Sequence, residues 1–314
     1  MISYIGKRML AVVPLVLFAV LATFLLMRMS PVDPAEAYFS ASHLKVTDEL
    51  LAEKRLEMGL DKPLLVQYFH TVVKMVQFDF GISYLSGEPV WQEIAQRLPA
   101  TLQLALSSSI ITVLVVILLG YFSAVYKNSW IDYLSRGLAY VGSSLPQFWL
   151  GYLLVFVFAI QLDWLPVEGK GTWQHLILPS ATLSLALIAM YTRLFRESML
   201  EQMNEAYVLY AKTRGIKHRS IMLRHVAKIA ITPVITGLGM NIGRLLTGTI
   251  IVERVFSWPG LGRFFVESIF NRDLPVIQGY VFFAACLYLA SSLIVDLVQM
   301  ALDPRISLKG RTGS

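Results

Sequence analysis

Residues 100–125 read ATLQLALSSSIITVLVVILLGYFSAV, twenty-six positions without one Asp, Glu, Lys, Arg or His. A helical membrane span needs about 20 mostly apolar residues, and this stretch exceeds that. The composition of the chain agrees. Of its 314 residues, 56% are hydrophobic and 15% charged, with a mean hydropathy of +0.60. A soluble domain carries about 25% charged residues, so the deficit calls for a second apolar solvent, which a bilayer supplies.

Working outward from residues 100–125, five more segments have the length and composition of spans: Met9–Met29, Gly137–Ile160, Leu176–Tyr191, Ile229–Val252 and Val276–Leu302. The fourth span, Leu176–Tyr191, is short and contains Pro179. Lys7 and Arg8 precede the first apolar core as they would in a secretory signal, but that core is too long. It also ends in Met29-Ser30-Pro31 rather than a small-residue cleavage site, so the sequence predicts a retained span. The fold class expected is therefore an all-α integral membrane protein of about six transmembrane helices.

Orientation follows from Lys and Arg. With the N-terminus inside, 15 of them fall on the cytoplasmic side: Lys7, Arg8, Lys127, Arg136, eight between Arg193 and Lys228, and three from Arg305 onward. Ten fall on the other side, six of them diluted over residues 30–99. The positive-inside rule then places both termini in the cytoplasm. The net charge of +6 sits mostly beside apolar segments, which points away from nucleic acid. The single cysteine, Cys286, permits no intrachain disulfide.

Four regions result: residues 1–29 with the first span, an extracytoplasmic segment 30–99, a five-span core 100–302 containing the loop 193–228, and a cytoplasmic tail 303–314. In the outer segment, Thr47 is a candidate N-cap, acids fill the next turn and Gly59 is a plausible stop, which predicts a helix from about Thr47 to Leu56. Leu65 to Phe78 also repeats apolar residues at helical spacing.

Catalytic signatures are missing. There is no Gly-x-x-x-x-Gly-Lys-[Ser/Thr] phosphate loop, no His-Glu-x-x-His pair and no Gly-x-Ser-x-Gly elbow. His43, His70 and His175 fall outside and His218 and His225 in the basic loop, with no metal-ligand spacing. The chain reads as a non-enzyme with no metal site and no cofactor of its own.

In the loop 193–228, Met199, Met203, Tyr207 and Tyr210 recur at helical spacing, giving an apolar-aromatic stripe. Gly215 is a natural helix stop, and Lys217-His218-Arg219 follows. The pattern fits either a helix lying on anionic headgroups or a docking helix for a cytoplasmic partner.

A resemblance bears on that choice. The run Glu205-Ala206-Tyr207-Val208-x-x-Ala211-x-x-x-Gly215, followed by Arg224-His225, resembles the coupling-loop signature of bacterial ABC importer permeases, in the variant of the dipeptide, oligopeptide and nickel family. Phe256-Ser257-Trp258-Pro259-Gly260-Leu261-Gly262 and Asn271-Arg272-Asp273-Leu274-Pro275-Val276 are similar to the same family. So are Arg97-Leu98-Pro99-Ala100-Thr101-Leu102 and Leu302-Asp303-Pro304-Arg305-Ile306. The broader importer pattern has an Ile-x-Leu-Pro tail where this chain has His225-Val226-Ala227-Lys228, a departure that suits the peptide and nickel branch.

The resemblance implies a type I ABC importer core in the bacterial inner membrane. Its expected partners are a second homologous permease, two cytoplasmic ATPase subunits that bind the ATP, and an extracytoplasmic solute-binding protein. It further implies that Glu205, Ala206, Tyr207, Ala211 and Gly215 meet the ATPase, and that Gly260–Gly262 opens a short re-entrant helix rather than a plain turn. The wording of Phe270-Asn271-Arg272-Asp273 and Ala301–Ile306 leans toward nickel or another transition-metal complex as cargo, with dipeptides or oligopeptides as the alternative. A self-sufficient secondary transporter would call for an internal repeat or more intramembrane charge, and neither is visible.

Candidate translocation-path residues are Asn241, Arg244 and Asp296. Arg244 lies deep in an apolar segment, where a charge has to be paired or to face water. Two readings stand: an ion pair with Asp296, or a cavity-lining charge that attracts a carboxylate. Gly239 and Gly243 form a Gly-x-x-x-Gly pair that allows close helix approach, within this subunit or across the pore.

Overall fold

The structure is a computed structural model that describes the backbone of residues 2–29, 31–41 and 47–302, with side chains described for 13–29, 31–40, 47–239, 241 and 249–294. The described residues are almost wholly helical: α1 (Ile2–Arg28), α2 (Pro34–Ala41), α3 (Asp48–Glu57), α4 (Leu64–Val76), α5 (Val90–Val125), α6 (Trp130–Ser144), α7 (Gln147–Leu154), α8 (Gln174–Met203), α9 (Ala206–Thr213), α10 (His218–Ile221), α11 (Ala227–Ala230), α12 (Thr232–Val255), α13 (Leu261–Phe270) and α14 (Leu274–Leu302). Among the described residues four helices are long and apolar enough to cross a membrane, or five if the bent pair α6 and α7 is one span. The helix α1 is 27 residues long, about 40 Å of helix.

Each expected span lies in a helix or a helix pair, with three differences. The span at Leu176–Tyr191 is the first half of α8, which runs on for 30 residues to Met203 with Pro179 inside its first turns. The span at Gly137–Ile160 is broken: α6 and α7 meet at 112°. The cause is local, because Pro146 forces the preceding Leu145 out of the helical region, to φ −88° and ψ 134°. The third difference is the apolar-aromatic stripe. Met199 and Met203 belong to α8 while Tyr207 and Tyr210 belong to α9, and the chain breaks between them at Asn204–Glu205.

Packing divides the chain into two compact units: Met1–Thr101 with Pro259–Leu293, and Leu102–Trp258 with Ile294–Ser314. In the first, Thr47 Oγ1 accepts from Leu50 N–H at 3.4 Å and so caps α3, as its sequence predicts. Gly59 ends that stretch at φ +67°, a conformation glycine adopts without strain. Asp33 takes two bonds from Arg55, from Nε at 2.9 Å and Nη2 at 2.6 Å, tying α3 to the start of α2. The helix α4 has inverted polarity. It buries Gln67 and Met75 and exposes Leu65, Phe69, Val73 and Val76, and the Tyr68 hydroxyl donates to the carbonyl of Leu17 on α1 at 3.0 Å.

The family-like motifs of this unit are structural clamps. Thr101 Oγ1 accepts from Leu261 N–H at 2.8 Å, capping α13, and the Arg97 guanidinium lies 4.0 Å from the Phe264 ring centroid. A helix of ten residues thus begins at Gly260 instead of a plain turn. Asp273, 1% exposed, accepts from Ser83 Oγ at 2.6 Å and Leu85 N–H at 3.3 Å, holding the loop before α5 to the start of α14.

The second unit has a contiguous core of Val116, Ala124, Tyr191, Phe195, Met199, Val208, Ala211, Ile221, Met222, Val226, Ala230 and Val234, drawn from α5, α8, α9 and the α10–α12 run. Close approach is essential to it. A Cβ on Gly237 would stand 2.7 Å from the Tyr191 ring, so α12 rests directly on α8 at that point.

Candidate functional site: the coupling helix and the path residues

The loop between α8 and α12 is a folded element whose inner face belongs to the core. Val208 and Ala211, three residues apart on α9, are 1% and 8% exposed and pack with Met199, Ile221, Met222 and Val226. Glu205 holds the N-cap position by backbone conformation, at φ −72° and ψ 149°, without a side-chain capping bond. Its carboxylate is therefore on the surface and not committed to starting the helix.

The helix stops by a Schellman motif. Ile216 N–H donates to Ala211 C=O at 3.2 Å and Gly215 N–H to Lys212 C=O at 3.0 Å. Gly215 has φ +74° with nothing within 4 Å of where a Cβ would sit, so glycine is required by the backbone and not by space.

Of the five residues expected to meet an ATPase, the structure places three on the outer surface: Glu205, Ala206 and Gly215. Tyr207 is half-buried, donating to Gln202 Oε1 at 3.1 Å, and burial together with the Glu205 carboxylate pushes its phenol above the ordinary value. Ala211 is in the core and anchors the helix from behind. Conversely, Leu209 and Tyr210 stand 67% and 64% exposed beside Arg214, whose guanidinium carbon is 5.7 Å from the Tyr210 ring centroid. The stripe reading placed Tyr210 on one face with Met199 and Met203. The break at Asn204 separates them, with Met199 in the core and Tyr210 exposed, and Leu209 had no signal in the pattern at all.

The helix α8, whose Met199 packs with α9, is tied to α6 by a pair that sequence reading missed. Arg196 on α8 grips Asp132 on α6 through Nε–Oδ1 and Nη2–Oδ2, both at 2.7 Å. Asp132 is fully buried and also accepts from Ser123 Oγ at 2.6 Å and Asn128 N–H at 3.0 Å. With the partners 64 positions apart, no periodic signal links them.

The path residues are reached in part. Asn241 on α12 donates through Nδ2 to the Tyr191 hydroxyl and, at 3.0 Å, to Gly237 C=O, so it has a structural duty where α12 crosses α8. Arg244 lies in α12 and Asp296 in α14. Their side chains, and the side chain of Gly243's neighbourhood from 242 to 248, lie outside the described residues. Among the described residues no cluster of His, Cys, Asp and Glu has the make-up of a metal site.

Residues 116–308 match the family described as the binding-protein-dependent transport system inner membrane component, and residues 1–105 match its membrane-component N-terminal family. The chain belongs to this family. It is an inner-membrane permease of the ABC importer type. Among curated relatives, the permease is 39% identical over 309 residues to the glutathione transport system permease protein GsiC of Salmonella typhimurium, covering 98% of this chain and 100% of the relative. The same protein of Escherichia coli matches at 39% identity over the same shares. A solved amino acid ABC transporter with histidines aligns at a TM-score of 0.48 and 19% identity, over 67% of the permease and 94% of the other chain. The relatives named for glutathione fit the peptide-type branch, and nickel has no support among them. Of the Phe270-Asn271-Arg272-Asp273 and Ala301–Ile306 wording that leaned toward nickel, Asp273 has a structural duty, clamping Ser83 and Leu85.

Proposed function

We propose that this permease forms the path for a small anionic peptide of the glutathione class, driven by a separate ATPase pair that docks on α9. The observation that carries the cargo reading is the 39% identity to glutathione permeases over nearly the full length of both chains. The unit would comprise this chain, a second homologous permease, two ATPase subunits and an extracytoplasmic binding protein, with both termini of the chain in the cytoplasm. Glu205, Ala206, Leu209, Tyr210 and Gly215 would form its side of the ATPase contact.

Arg244 serves this reading. A peptide such as glutathione carries two free carboxylates, and an arginine in an apolar helix attracts them strongly where a bare metal cation would be repelled. Replacement of Arg244 by Met is expected to leave the purified complex assembled and to lower peptide uptake at least tenfold. Loss of assembly instead would return Arg244 to a structural pair with Asp296.

The function is tested with the complete complex in proteoliposomes. ATP-dependent uptake of labelled glutathione, dependent on the binding protein and outcompeting a nickel chelate, is expected. Uptake of the nickel chelate alone would sink the peptide reading, and uptake by this chain without an ATPase would sink the importer reading.

A further inference from the structure

A cavity of about 280 Å3 lies between α6 and α8, lined by Ser135, Arg136, Tyr140, Thr192, Arg193 and Arg196 among others. Two hydroxyls on its wall, Ser135 Oγ and Thr192 Oγ1, are buried without any hydrogen-bond partner, and their residues are only 4% and 3% exposed. Both oxygens are closed off from a water-sized group, so they lie behind the wall's surface, and the polar lining that an occupant can reach is the arginines.

The charge at the cavity points to the occupant. Arg196 is committed to Asp132, but Arg136 and Arg193 form no ion pair among the described residues, and the Arg136 guanidinium carbon lies 5.9 Å from the Tyr133 ring centroid. The one carboxylate on the lining is Glu197, which forms no ion pair among the described residues either, so a positive charge remains in excess. Guanidinium forks suit a phosphate. Beside the cavity the outer face of α6 is apolar and exposed, with Tyr133, Leu134, Leu138 and Val141 all more than half exposed. An occupant therefore meets arginines at one end and a lipid-like surface at the other.

We infer that this cavity is a binding site for the phosphate of an anionic phospholipid of the cytoplasmic leaflet. The headgroup would be held by Arg136 and Arg193. The inference rests on the inside placement of residues 127–136 proposed above. Basic pockets between helices on the cytoplasmic side take such headgroups in general. A lipid there would clamp α6 to α8 one turn from the Asp132–Arg196 pair and just ahead of the coupling helix.

The test uses the assembled complex in nanodiscs of phosphatidylcholine with or without phosphatidylglycerol. Retained lipid is read by native mass spectrometry and the melting temperature is followed in parallel. Wild type is expected to retain phosphatidylglycerol and to melt higher with it. Arg136→Gln/Arg193→Gln should lower that retention at least tenfold and abolish the shift. The single variants Arg136→Gln and Arg193→Gln should each lower retention several-fold, and unchanged retention in both overturns the proposal even if the double variant does not assemble. Equal retention of phosphatidylcholine, or displacement of the lipid by millimolar inorganic phosphate, overturns it as well. Failure of glutathione transport with the lipid result intact would count against the cargo reading alone.

Discussion

The bond between Arg196 and Asp132 is the contact at which a single substitution should do most damage. Replacing Arg196 by Met strands a fully buried carboxylate, and breaking a buried pair from one side costs about 3–5 kcal/mol. A marked fall in melting temperature of the purified complex is expected, with much of it recovered in Asp132→Asn/Arg196→Met because Ser123 and Asn128 can still bond the amide. No recovery would mean that the charge pair itself, and not the stranded charge, matters. Two glycines offer a second comparison. Gly215→Ala meets no atom and suffers only the left-handed backbone, about 1–2 kcal/mol. Gly237→Ala drives a methyl to 2.7 Å from the Tyr191 ring, an overpacking of about 1–3 kcal/mol that also disturbs the Asn241 bond. Gly237→Ala should therefore lower the melting temperature without changing the ATPase contact, and Gly215→Ala should weaken coupling more than stability. Gly215 was legible in the sequence because its backbone demand is local. Gly237 and Asp132 were not, since their demands come from residues 46 and 64 positions away.

At the scale of elements, hydropathy located the long apolar helices among the described residues, and capping chemistry located α3. Periodicity failed where a helix ended inside a stripe. Met199 through Tyr210 satisfy helical spacing, yet the turn at Asn204 makes two helices of them and leaves Met199 buried and Tyr210 exposed. The helix α4 shows the same limit from another side: its apolar residues were visible, but not that Gln67 would be buried and Phe69 exposed. For α9 the division of faces yields a prediction. Leu209→Ser/Tyr210→Ala alters only exposed side chains and should change stability by no more than about 0.5 kcal/mol. It should nevertheless cut substrate-stimulated ATPase activity of the complex at least tenfold. Val208→Asp, on the buried face, should prevent assembly altogether. Unchanged ATPase stimulation in the first variant would remove α9 as the docking element.

For the whole molecule, the open link between chain and membrane is the bent pair α6–α7. Counted as one span, it gives five candidate crossings among the described residues, and α1, whose described apolar part is shorter, would make six, so that both termini share a side, as the distribution of Lys and Arg predicts. If the 112° bend instead turns the pair back on itself, the count with α1 falls to five. The loop holding α9 would then leave the side of the N-terminus, and an ATPase could not reach it. Reporter fusions decide between the two. Alkaline phosphatase inserted after Asp61 and after Lys170 should be active, and inserted after Lys127 and after Tyr210 inactive, with a fluorescent protein at the C-terminus bright. An active fusion after Tyr210 with an inactive one after Lys127 would make the bent pair re-entrant. That would detach the coupling helix from the cytoplasm and place the basic residues of 193–228 against the positive-inside rule, so the charge count and the coupling reading stand or fall on the same measurement.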